Sequence, residues 1–136
     1  MKIFRRVVAA AMILGTAASP SLANAACALS DFAGRWHAYA IAANDTGANW
    51  TSCRLVISST GKITNTTCVI TNGSSFAFTN GSIALANATN CTFTARFTFA
   101  GLVHTVRHGT LSKDKLIGNA VGTFPGGGFV FNMTRL

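Results

Sequence analysis

Between Cys91 and Phe99 the chain alternates strictly, with Phe93, Ala95, Phe97 and Phe99 at one parity and Thr92, Thr94, Arg96 and Thr98 at the other. Successive side chains of a strand project to opposite faces, so this pattern predicts a strand with one buried and one wetted face. Shorter runs of the same kind recur from Ala33 onward, broken by turn residues roughly every 8 to 12 positions. Nine strands are predicted, at about 33–42, 50–59, 62–71, 75–79, 82–86, 91–99, 102–111, 116–124 and 129–135. No heptads and no helix longer than a turn or two emerge. The expected fold is all-β, a small antiparallel up-and-down β-barrel of about eight strands, with a β-sandwich as the alternative.

Turn chemistry then sets expected registers. A two-residue turn at Ala100-Gly101 pairs Phe97 with His104, Ala95 with Val106 and Phe93 with His108, which sends both histidines inward among phenylalanines. Thr71-Asn72-Gly73-Ser74 recurs as Thr79-Asn80-Gly81-Ser82, and Asn-Gly suits a type I′ hairpin turn because both residues tolerate positive φ. A turn at Thr60-Gly61 sets Cys53 directly opposite Cys68, within the Cα separation that a disulfide needs. By elimination Cys27 pairs with Cys91. None of the four cysteines has the close C-x-x-C spacing favoured by zinc sites, so disulfides are the expectation.

Disulfides imply an oxidising compartment, and the N-terminus agrees. Residues 1–25 combine a basic start (Lys2, Arg5, Arg6), an apolar run from Val7 to Ala18 and small residues at Ala23-Asn24-Ala25, the three parts of a secretory signal peptide of bacterial type. The apolar run is about 12 residues long, short of the roughly 20 that span a bilayer as a helix. No later segment is long enough to do so. Lipidation of Cys27 would call for Leu or a similar residue three positions earlier, where Asn24 stands. A single mature domain is therefore expected over 26–136, in the periplasm or outside the cell.

Removing the signal changes the charge. Three of the 11 Lys and Arg lie in it, and the eight that remain are opposed by Asp31, Asp45 and Asp114, a net charge of +5 against +8 for the whole chain. The basic residues are scattered singly, which argues against a nucleic-acid partner. Paired carboxylates are hard to assemble from three Asp and no Glu, and no Gly-x-Ser-x-Gly elbow is present, so catalysis is not expected. No cofactor is called for either. Four residues of strand separate His104 and His108 by about 13 Å, too far for one metal ion.

The two ends of the chain carry a resemblance. Leu29-Ser30-Asp31-Phe32-Ala33-Gly34-Arg35-Trp36 opens the first strand and Phe129-Val130-Phe131-Asn132-Met133-Thr134-Arg135 closes the last. This resembles the calycin pattern of lipocalins, fatty-acid-binding proteins and avidins, in which a Gly-x-Trp packs against a basic side chain from the last strand. The resemblance implies that Arg135 covers Trp36 by a cation–π contact at one end of a barrel. That contact needs an even number of strands in the ring, so one segment, 75–79 by preference, must be continuous with a neighbour or lie outside it.

Three functional expectations result. One is an exported, non-enzymatic carrier of a small apolar ligand, with His104, His108, Phe93 and Phe97 as candidate ligand contacts. A second is a protein-binding module similar to the small periplasmic inhibitors of bacterial metalloproteases, in which the segment Ala26 to Asp31 would enter the protease cleft. A third is a small outer-membrane barrel with its phenylalanines facing lipid, although the last strand ends in Arg135-Leu136, where such barrels usually carry a terminal aromatic.

Overall fold

The computed structural model describes residues 26–136, the Asn65 side chain excepted; the expected signal segment, residues 1–25, lies outside the described residues. A short 3-10 helix at Leu29–Phe32 leads into nine strands: β1 (Gly34–Asn44), β2 (Gly47–Ile57), β3 (Lys62–Ile70), β4 (Ser75–Phe76), β5 (Thr79–Asn87), β6 (Thr92–Phe99), β7 (Leu102–Leu111), β8 (Ile117–Phe124) and β9 (Gly127–Arg135).

All strand pairings are antiparallel, and the order β1-β2-β3-β5-β6-β7-β8-β9 returns to β1, closing an eight-stranded barrel. The two-residue β4 is the segment that stays outside the ring, pairing only with Cys68 and Val69 of β3. Closure removes both sheet edges, which a sandwich would leave open. The even count also makes β9 antiparallel to β1 and puts Arg135 beside Trp36.

Most expected registers hold. Phe99 pairs with Leu102 across Ala100-Gly101, Phe97 with His104, and Ala95 with Val106. Cys53 lies opposite Cys68 with Cα atoms 4.0 Å apart, and the two are bonded, as are Cys27 and Cys91. The route to the first pair is indirect. The β2–β3 hairpin is one residue out of the expected register at Ile57–Ile63, and an extra residue of β3 between Thr64 and Thr67 brings Cys68 back opposite Cys53.

Two bulges overturn local expectations. Asn80-Gly81 does not turn a hairpin. It is an irregularity inside β5, with Asn80 at φ 51°, between the pairs Thr79–Thr98 and Ser82–Arg96. In β7 a bulge at Arg107-His108 breaks the register, so Phe93 pairs with Gly109 instead of His108. One extra residue reverses the facing of the residues beyond it. His108 therefore joins Arg107 on the exposed outer surface, and Gly109 takes the inward place. Phe93 depends on that exchange, because a Cβ at position 109 would lie 2.4 Å from its Cζ.

Gly34 is required for a similar reason. A Cβ there would lie 2.7 Å from Arg135 Nη1, and its φ of +136° is one that other residues rarely adopt. The Arg135 guanidinium sits 4.5 Å from the centre of the Trp36 ring. It also donates to the carbonyls of Asp31, Ala33 and Lys115, so it ties the 3-10 helix and the β7–β8 loop to the barrel end. Trp36 Nε1 donates to Phe32 O at 2.7 Å, and the Phe32 ring meets Phe93 edge-on at 5.0 Å. Trp36 and Phe32 are fully buried. Burying each of these side chains contributes about 2 kcal/mol or more, so this end is a packed plug.

Candidate functional site

From the dense plug, β1 runs on toward the opposite end with small inward side chains. After Trp36, the inward positions of β1 are Ala38, Ala40 and Ala42. On β6, across the ring, the buried Ala95 also lines the interior. An eight-stranded barrel has room for packed side chains or for a small ligand. Here the alanines leave a cavity of about 250 Å³, reaching from Phe93 and Met133 near the plug to a rim that includes Asn44, Gly47, Asn49 and Ala100.

Aromatic rings line much of the remaining wall, from β6 across the ring to β9 beside β1. Phe78 stacks on Phe97 at 4.3 Å between centroids, Phe99 meets Phe78 edge-on at 5.4 Å, and Phe129 meets Phe97 at 5.9 Å. Phe78 needs a special anchor, because β3 and β5 pair only at Lys62–Ser82 and Ile63–Gly81 and then diverge. The Thr66 hydroxyl supplies it by accepting from the Phe78 N–H at 2.5 Å, which holds the ring across the gap in the wall. All the cavity phenylalanines point inward, while Arg54, Arg96 and Arg107 stand on the outer surface.

Among the described residues, the two buried polar side chains are Thr51 and His104, and both line this cavity. They belong to β2 and β7, which are separated by three strands in either direction around the ring and so stand on opposite walls. His104 Nδ1 lies 3.0 Å from Leu102 O. A carbonyl only accepts, so Nδ1 carries the proton and, in the neutral ring, Nε2 is an acceptor. Around the imidazole are Phe97, parallel to it at 5.2 Å, and Phe99, Phe124 and Phe129 within 5.9 Å. Desolvation by this burial pushes the His104 pKa below its ordinary 6.5, partly offset by the bond to Leu102. At neutral pH the ring is uncharged.

Of the candidate contacts, His104, Phe93 and Phe97 converge on the cavity and His108 does not. His108 instead borders a shallow outer groove with Tyr39, Ile41, Trp50, Val121 and Val130. Thr51 went unnoticed in the sequence, although a signal was there: it shares its strand parity with Cys53, Leu55 and Ile57, all buried. The alanines at 38, 40 and 42 were equally legible as small residues at inward parity. Among the described residues, no three His, Cys, Asp or Glu side chains come together as a metal site.

The N-terminal segment is held at several points. Cys27 is bonded to Cys91, the Cys27 N–H donates to Ala88 O at 2.8 Å, and Asp31 accepts from the Ala28 N–H at 2.9 Å while pairing with Lys115 at 3.6 Å. The Lys115 ammonium also contacts the Cys27 and Cys91 sulfurs.

Comparisons with protein-family models, with curated proteins and with solved structures found no match for this chain. The role of the protein is therefore read from the cavity.

Proposed function

We propose that the protein is an exported, non-enzymatic binding protein that carries or sequesters a small apolar ligand inside its barrel. The observation that carries this reading is the cavity of about 250 Å³ in a barrel whose side chains could have filled it. An apolar cavity of roughly 150 Å³ is already enough to admit benzene. Mostly apolar walls with a few placed polar groups are the usual makeup of ligand sites. Two disulfides suit an oxidising compartment, as the expected signal segment does. The inhibitor-type alternative asks for a free N-terminal arm, whereas residues 27–31 are tied to the plug. The outer-membrane alternative asks for lipid-facing phenylalanines, whereas seven of them, Phe78, Phe93, Phe97, Phe99, Phe124, Phe129 and Phe131, line the interior.

Calorimetric titration with toluene tests the reading, with Ala42→Leu as the comparison. Ala42 lines the cavity opposite Phe129 on the neighbouring strand, so a leucine there takes up ligand space without burying a polar group. The parent protein should bind toluene, and the variant should bind at least tenfold more weakly while unfolding at the same or higher denaturant concentration. Native mass spectrometry of protein purified from its own envelope should show a co-purifying small mass. No toluene binding and no added mass would overturn the carrier reading.

A further inference from the structure

Resting on the carrier reading, we propose that the ligand is a small neutral hydroxyl compound, best a phenol, whose O–H donates to His104 Nε2 while its ring lies among the surrounding phenylalanines. The cavity's two buried polar side chains carry the inference. The proton on Nδ1 is committed to Leu102 O, which leaves Nε2 with a lone pair and nothing to donate. None of the described residues hydrogen-bonds Nε2. Among the described residues, every side-chain nitrogen or oxygen that is sealed from solvent does have a partner, so the unpartnered Nε2 is not sealed and is open to an occupant of the cavity. A ligand that only accepts, such as a ketone or an ether, cannot satisfy it. A hydroxyl can.

Charge selection arises from the same wall. Among the described residues, no Lys, Arg, Asp or Glu lines the cavity. A carboxylate or an ammonium ion would lose its hydration there without a countercharge, a penalty of several kcal/mol. The makeup of the wall favours an aromatic ring, since it already packs ring against ring, with Phe97 stacked on His104 at 5.2 Å between centroids and Phe129 set edgewise to Phe97. Offset and edge-to-face contacts suit a planar ligand better than a branched chain. Thr51, on the opposite wall, offers a hydroxyl that can donate or accept, so it tolerates a second polar atom of either kind without dictating it.

Protonation of His104 would convert its acceptor into a donor. The aromatic rings packed against it are Phe97 and Phe99 from β6, Phe124 from β8 and Phe129 from β9, and among the described residues that line the cavity no other side chain titrates. The acid limb of binding would therefore belong to His104.

The test titrates the full mature protein with phenol and with toluene, which differ in the donor, across pH 5 to 8 by calorimetry. At neutral pH the ratio of phenol to toluene affinity should fall about tenfold in His104→Phe, the loss expected for one buried hydrogen bond with its acceptor removed. His104→Gln, which offers an amide oxygen, should recover part of it. In the parent protein phenol affinity should drop as pH falls through the His104 pKa, which burial holds below the ordinary 6.5, while toluene affinity stays level, and the drop should vanish in His104→Phe. Toluene binding with a phenol ratio indifferent to both variants and to pH would overturn this inference and leave the carrier reading standing. Binding of neither probe, together with an Ala42→Leu variant indistinguishable from the parent, would sink the carrier reading and this inference with it.

Discussion

The Arg135 guanidinium lies 4.5 Å from the centre of the Trp36 indole and at the same time bonds three carbonyls, those of Asp31, Ala33 and Lys115. One side chain thus joins the first strand, the last strand, the 3-10 helix and the β7–β8 loop. Arg135→Ala should cost about 3 kcal/mol in urea unfolding, because it orphans partly buried carbonyls as well as losing the ring contact. Arg135→Lys should recover less than half of that, since a compact ammonium lacks the extended planar fork by which the guanidinium reaches three carbonyls at once. Against Trp36→Phe, a double-mutant cycle should show coupling of about 1 kcal/mol. Simple additivity would mean that the indole gives Arg135 nothing that a phenyl ring does not.

Gly34→Ala should destabilise by more than the backbone penalty alone. The added Cβ would press on Arg135 Nη1, at 2.7 Å, in addition to meeting an unfavourable φ. In an Arg135→Ala background only the backbone part should remain, so the cost of Gly34→Ala should shrink by about 1 kcal/mol or more in the same unfolding assay. An unchanged cost would place the whole effect in the backbone.

The two disulfides should contribute unequally. Cys53–Cys68 closes a separation of 15 residues and Cys27–Cys91 one of 64. Loop-closure entropy in the unfolded chain then assigns about 3 kcal/mol to the first and about 4 kcal/mol to the second. Cys27→Ala with Cys91→Ala should also free the 3-10 helix, seen as faster hydrogen exchange at residues 27–33, whereas Cys53→Ala with Cys68→Ala should leave that segment protected.

Stability should fall with acid because of His104. Its folded pKa is lowered from 6.5 by burial, so between that lowered value and 6.5 the unfolded chain binds the proton more readily than the folded one. The stabilisation is complete above about pH 6.5, declines as pH falls through the window, and levels off below the folded pKa. His104→Phe should flatten this part of the pH profile in urea unfolding. His108→Ala, on the exposed surface, should leave the His104 step in place and shift stability by no more than about 0.5 kcal/mol.

The sequence by itself determined which face of each strand is buried, and that reached further than the strand list. The parity of Phe93, Ala95 and Phe97 is a local property with a period of two, and two-residue turns carry it across to the neighbour, so Phe97 opposite His104 was readable from the chain alone. The same logic reached Cys53–Cys68, and the resemblance at the chain ends reached Trp36–Arg135, because closing an even ring brings first and last strands together antiparallel.

Tertiary structure decided what parity cannot carry. The bulge at Arg107-His108 inserts one residue because the Phe93 ring needs the space above position 109, a demand made by a neighbouring strand that nothing within residues 102–111 announces. It turned His108 outward and left His104 as the one imidazole lining the cavity among the described residues. Asn80-Gly81 met the same fate, its turn chemistry spent on a bulge where β5 leaves β3. Whether the barrel was filled or hollow depended on Ala38, Ala40 and Ala42 of β1 being set against Phe97 and Phe129 of β6 and β9. Cavity volume is a sum over side chains that converge from the whole ring, so only the closed barrel could decide it.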